Sequence, residues 1–193
     1  MGEEKKTYVK MATPDYVQDI RRRRYTADGA VMKILKECGM KLEPPINVWA
    51  IARQLNFEVF EAGFKDAKVS GMMIDSKKVV KMLGCKRAIV LNREENKERQ
   101  AFTVAHELAH FVLHCNDRTD FFEAYHWGKE KRSLTEDEAD KFAAMLLMPT
   151  NTFSDVYQQL RNKYDTTELI RAMSKIFMVE DEAVKRRIRE IGY

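Results

Sequence analysis

The run from Ala101 to Leu113, AFTVAHELAHFVL, constrains this chain more than any other stretch. Its apolar residues leave almost no polar face except the one made by His106, Glu107 and His110, so a helix over about 98–114 has to be buried nearly all round. Burying two imidazoles and a carboxylate is costly unless each is paired or bound to an ion. Residues i and i+4 of a helix point to the same side, so His106 and His110 can offer ring nitrogens to one metal. Glu107, beside the first of them, can reach an attacking water. The competing reading, polar residues on the wet face of an ordinary amphipathic helix, is disfavoured by the apolar neighbours on all other sides.

A catalytic metal site needs a third protein ligand and one open position. The segment Ser133 to Ala144, SLTEDEADKFAA, offers Glu136 and Asp140 four residues apart on one helical face, with Glu138 pointing elsewhere. Glu136 can bind the ion, while Asp140 can accept the spare N–H of a ligand histidine and set its tautomer. Against this, Ser133 and Glu136 also have the spacing of a capping box, in which Glu136 would fold back on its own helix start. If Thr135 caps instead, pairing with Glu138, Glu136 becomes the first helical residue and stays available.

The rest of the chain reads as an α+β arrangement. Residues 1–27 form a polar leader with room for one short amphipathic helix through Tyr16, Val17 and Ile20. Helical spacing follows at Ala30, Val31, Ile34 and Leu35, stopped by Gly39, and again at Val48, Ile51, Ala52 and Leu55 after Pro44-Pro45. Phe57 to Phe60, Ser70 to Ile74 and Arg87 to Leu91 are β-branched or aromatic segments bounded by glycines, three strands of one small sheet. Residues 28–149 then make the core that carries the motif, and 150–193 a helical C-terminal extension packed on it.

Two smaller features remain open. His114 lies two turns past His106 and, at roughly 100° per residue, has drifted by about 80° from it, so it reads as a helix-end residue near exposed carbonyls. The stretch Thr119 to Arg132, with Phe121, Phe122, Tyr125, His126 and Trp127, is long for a helix connection. It reads equally as the rim of a cleft, with Tyr125 or His126 assisting an oxyanion, or as aromatic cover for the core.

Charge separates the function classes. Thirty-four basic residues face 30 acidic ones, a net +4, which does not make a phosphate footprint. The clusters Arg21 to Arg24 and Lys185 to Arg189 read as exposed helix faces. Cys38, Cys85 and Cys115 are an odd number without a CxxC spacing, as expected of free thiols in a reducing cytoplasm. The chain has no signal-peptide core and no apolar run long enough to span a bilayer, so a cytoplasmic protein is expected.

Taken together, RQAFTVAHELAH with FVLH after it, and then Glu136-x-x-Ala139-Asp140-x-Phe142-Ala143-Ala144-x-Leu146-Leu147-Met148-Pro149, resembles the ImmA/IrrE family of zinc metallopeptidases. Pro44-Pro45-Ile46-Asn47-Val48 and Ser70-Gly71 also resemble family features. The resemblance implies a zincin-like core, a small sheet beside the buried HExxH helix, and one Zn2+ per chain held by His106, His110 and Glu136. It puts Glu107 at the general-base position of a metalloendopeptidase. It further implies a protein substrate, a helix-turn-helix repressor of a mobile element or stress regulon.

Two rival accounts use the same zinc fold. One is a non-catalytic regulator, supported by the two short helices of the tail around Val179-Glu180-Asp181, which resemble a helix-turn-helix. Seven acidic against eight basic residues between Asn151 and Tyr193 argue against direct nucleic-acid binding there. The other is a toxin–antitoxin component that works by binding a repressor partner.

Overall fold

The computed structural model describes residues 12–75, 83–85, 87–115, 121–126 and 133–193. Three helices open the described chain: α1 (Asp15–Arg23), α2 (Ala27–Glu37) and α3 (Val48–Gln54). The hydroxyl of Thr26 caps α2 by accepting from the Gly29 N–H, and Asn47 caps α3 by accepting from Ala50. Gly39, at φ +59°, takes the left-handed conformation just beyond the end of α2 that a Cβ would disfavour. Val17 and Ile20 of α1 are buried in the same core as Ala30, Val31, Ile34 and Leu35 of α2, so part of the polar leader packs as a core helix.

The three expected strands are β1 (Glu58–Ala62), β2 (Val69–Asp75) and β3 (Ala88–Asn92), and a fourth, β4 (Phe121–His126), extends the sheet. Their order is β1-β3-β2-β4. β1 runs parallel to β3, and β2 runs antiparallel to both β3 and β4. β4 falls in the stretch whose sequence was read as cleft rim or core cover. β4 is an edge strand whose pairing is supplied by the backbone of β2.

One face of the sheet carries Gly71, Met73, Ile89 and Leu91, and across it lies α4 (Lys97–Ala109). A Cβ placed on Gly71 would sit 2.6 Å from Cγ2 of Thr103 on α4 and 2.8 Å from the Val90 carbonyl oxygen. Glycine here sets how closely the motif helix approaches the sheet. Gly71→Ala is expected to lower stability by about 1–3 kcal/mol through overpacking, read as a fall in the thermal midpoint. Adding Thr103→Ala should recover only part of the loss, because the backbone oxygen stays in place; full recovery would show that Thr103 alone is the obstacle.

Behind the sheet and α4 the chain continues through α5 (Leu134–Leu147), α6 (Thr150–Leu160), α7 (Thr166–Phe177) and α8 (Asp181–Ile191). The last three contribute Phe153, Leu169, Met173, Phe177 and Val184 to the common core. Arg99 of α4 also grips Glu180, at the turn between α7 and α8, with contacts of 3.0 and 3.2 Å from one nitrogen to the two carboxylate oxygens.

A fully buried ion pair lies under the sheet. Arg87 Nε donates to Asp75 Oδ2 at 3.0 Å, and Nη1 donates to the Leu55 carbonyl at 3.3 Å. The guanidinium stands 4.5 Å from the centre of the Phe111 ring and 5.8 Å from that of Phe57. It therefore links two strands to the segment that follows His110. Among the described residues no helix is long and apolar enough to cross a membrane.

Candidate metal centre

Asn96 starts α4 by accepting the Arg99 N–H at 2.8 Å, and from Gln100 onward nearly every residue of the helix is buried. His106 and Glu107 are fully buried and His110 almost so. α5 packs alongside, and Ala105, Ala109, Ala139 and Ala143 are all fully buried. Small side chains let helix axes come close. That approach brings groups from two helices onto one point.

The Nε2 atoms of His106 and His110 lie 3.0 Å apart. Glu136 places Oε2 3.4 Å from the first and Oε1 3.2 Å from the second. Donors at zinc–nitrogen distances of about 2.0–2.1 Å in a tetrahedron are separated by about 3.3 Å, so the three separations fit one ion. Two imidazoles and a carboxylate are also the donor set of an open three-ligand zinc site. His106, His110 and Glu136 could hold a metal ion.

Ser133, not Thr135, caps α5, accepting the Glu136 N–H at 3.2 Å. The Glu136 carboxylate nevertheless turns to the histidines. Capping and metal binding were alternatives on the sequence, yet they use different atoms of the residue: the backbone N–H serves the cap and the side chain serves the site.

Behind His106, Asp140 Oδ1 is 2.9 Å from Nδ1. Tyr125 of β4, itself buried, lays its ring 4.0 Å from that of His106 at 39°. The other oxyanion candidate, the His126 side chain, lies outside the described residues, as does Trp127.

The electrostatics of the metal-free cluster favour charge separation. Burial pushes the His106 pKa down, but hydrogen bonds to Asp140 and Glu136 outweigh it and raise it to about 9. Hydrogen bonds from His106 and His110 hold the Glu136 carboxyl well below the usual carboxylate range, against the opposing effect of burial. The raised His106 value stabilises the metal-free fold fully below an ordinary histidine pKa of about 6.5, and that contribution disappears as pH rises through 9. A metal requires the neutral ring, so its uptake expels this proton. Apparent zinc affinity should therefore climb by up to about tenfold per pH unit between about 7 and 9 and then level off. A flat profile in a chelator-competition titration over that range would show the ring already neutral.

Two contributors escaped the sequence reading. His114 does not stand apart: its Nδ1 is 3.2 Å from Nδ1 of His110, and its Nε2 is 3.0 Å from Oε2 of Glu138. The cause is a π-helical segment from His110 to His114, closed by the Cys115 N–H to the His110 carbonyl at 2.8 Å. A wider turn rotates less per residue, so His114 stacks over His110 rather than drifting past it. The only signal in the sequence is the histidine spacing itself. Arg21, placed with an exposed arginine cluster on sequence, instead reaches the carbonyls of Phe111 and Val112 and caps this segment from α1.

A family model described as the IrrE N-terminal-like domain, peptidase M78, matches residues 52–189. A solved structure titled as a Mycobacterium tuberculosis transcriptional regulator resembles 90% of this chain at 15% identity, with a TM-score of 0.52. The chain spans 50% of the length of that structure, and the likeness is one of fold. No curated protein matches. The family match covers well over half of the chain and includes the motif helix, the sheet and the helix of Glu136, and the chain belongs to the IrrE N-terminal-like family of peptidases.

Proposed function

We propose that this chain is a zinc-dependent endopeptidase whose substrate is a protein, specifically a helix-turn-helix repressor of a mobile element or stress regulon, and that it acts in the cytoplasm. The observation that carries the reading is the meeting of His106, His110 and Glu136 at separations of 3.0–3.4 Å, with Glu107 buried on the same helix. His106 and His110 hold the ion through Nε2, and Glu136 is the third ligand. Asp140 accepts the Nδ1–H of His106 and keeps that ring in the tautomer a ligand needs. When bound, zinc supplies Lewis acidity toward water and the scissile carbonyl. Glu107 takes the proton of the attacking water and delivers it to the leaving amine.

The tail supports a protein over a nucleic-acid substrate. On α8, Lys185 pairs with Glu182 at 3.1 Å and Arg186 with Glu190 at 2.9 Å, while Arg187 is buried and donates to Thr150 Oγ1 at 2.8 Å. Basic residues committed to neighbouring carboxylates make few phosphate contacts. The test is to identify the adjacent reading frame and incubate the zinc-loaded chain with its product. Discrete fragments, mapped by mass spectrometry and lost on adding a strong chelator, are expected. Stoichiometric complex formation without any cut would favour the non-catalytic toxin–antitoxin type of partner binding and overturn the enzymatic reading.

A further inference from the structure

The two ligand rings turn Nε2 toward Glu136, so what stands behind each ring decides its tautomer. Behind His106 it is the buried carboxylate of Asp140. Behind His110 it is a second imidazole, His114, which in turn meets Glu138. The proton assignments along this row are tightly limited. A carboxylate only accepts, so His114 donates from Nε2 to Glu138 and its neutral ring keeps a lone pair on Nδ1. That lone pair can accept only an Nδ1–H of His110. Once an ion replaces the hydrogen bond that His110 gives Glu136 in the metal-free cluster, the lone pair on His110 Nε2, the atom 3.2 Å from Glu136 and 3.0 Å from His106 Nε2, faces that ion. With the ion bound, the opposite tautomer of His110 would turn a proton toward it and set two lone pairs against each other at the 3.2 Å contact with His114.

We propose that His114 and Glu138 are positioning residues of the metal centre, a relay that fixes His110 with Nε2 free for the ion as Asp140 fixes His106. The proposal deepens the zinc reading of the same site and rests on it. The π-helical segment fits this account, since its wider turn removes part of the drift of about 40° that an α-helical continuation would give His114 relative to His110. The two arms are unequal. The Asp140 side chain is 5% exposed and that of Glu138 62%. His114 and Glu138 also line a cavity of about 300 Å³ between α1 and the end of the motif helix. Water competes for the outer arm and weakens its hold.

Zinc dissociation constants of the full chain, measured by competition with a chromogenic chelator, test the relay. Loss of an outer partner of a ligand histidine commonly weakens metal binding by about 10–100-fold. His114→Ala is expected to fall within that range, and Glu138→Ala at its lower end of about tenfold. Glu138→Gln should stay within roughly threefold of wild type, because its amide oxygen still accepts from His114. The double variant His114→Ala/Glu138→Ala should bind no more weakly than His114→Ala alone, since Glu138 acts only through His114. Glu138 is on the surface, so its variants give a reading even if His114→Ala fails to fold. Wild-type affinity in Glu138→Ala, or an undiminished Glu138 effect in the His114→Ala background, would overturn the relay. A wild-type chain that takes up no zinc would instead overturn the metallopeptidase reading beneath it.

Discussion

Glu107→Gln is expected to abolish measurable cleavage while leaving zinc content unchanged. Glu107 sits on the motif helix next to His106 and is fully buried. Its charge acts on His106 across the site. Glutamine has the same shape and can still hydrogen-bond, but it cannot accept a proton, so the substitution isolates the proton transfer from the packing. Positioned acid–base groups contribute about a hundred to ten thousand-fold, which corresponds to about 3–5 kcal/mol of the barrier. Here one residue is assigned both transfers, from water and to the amine, which places the loss toward the upper end. Single-turnover cleavage of the repressor, with metal content measured on the same samples, separates the outcomes. A variant keeping more than about a tenth of wild-type rate would remove Glu107 from the chemistry, since the lower bound for such a group is about a hundredfold.

Asp75→Ala should have the largest effect on stability. The Arg87 and Asp75 side chains are 0% and 1% exposed, and removing one partner of a buried pair leaves an uncompensated charge at a cost of about 3–5 kcal/mol. Arg87 also packs on Phe111, the residue after the second ligand. Displacement of the guanidinium should therefore disturb the turn that carries His110 and His114. Chemical denaturation of the metal-free chain gives the stability loss, and zinc affinity gives the local consequence. Replacing both partners with apolar residues, Asp75→Leu with Arg87→Met, should recover most of the loss, because a buried ion pair often contributes little over a well-packed apolar pair. A double variant as unstable as Asp75→Ala would instead assign the loss to packing and to the bond between Arg87 and Leu55.

The buried helix of the motif and the strands β1, β2 and β3 were legible because each depends on residues close in the chain. An i, i+4 histidine pair in an apolar run needs only helical geometry to meet one ion. Residue type in SLTEDEAD was enough to nominate Glu136 and Asp140. It could not choose between capping and ligation, because that choice depends on what stands opposite the first turn of α5. The tertiary structure put two histidines there, and the cap and the ligand role proved compatible.

Other features depended on contacts that local sequence does not set. Tyr125 reaches His106 only because β4 pairs with β2, and Arg21 caps the motif helix only because α1 folds back across its end. His114 lines up with the site more closely than a rotation of about 100° per residue counted from His106 anticipates, because the segment is π-helical. Spacing along one helix is set by backbone hydrogen bonds and can be counted from the sequence. Contacts between elements are set by how the sheet, α1 and α5 pack against α4, and that arrangement appears only once the whole core has closed.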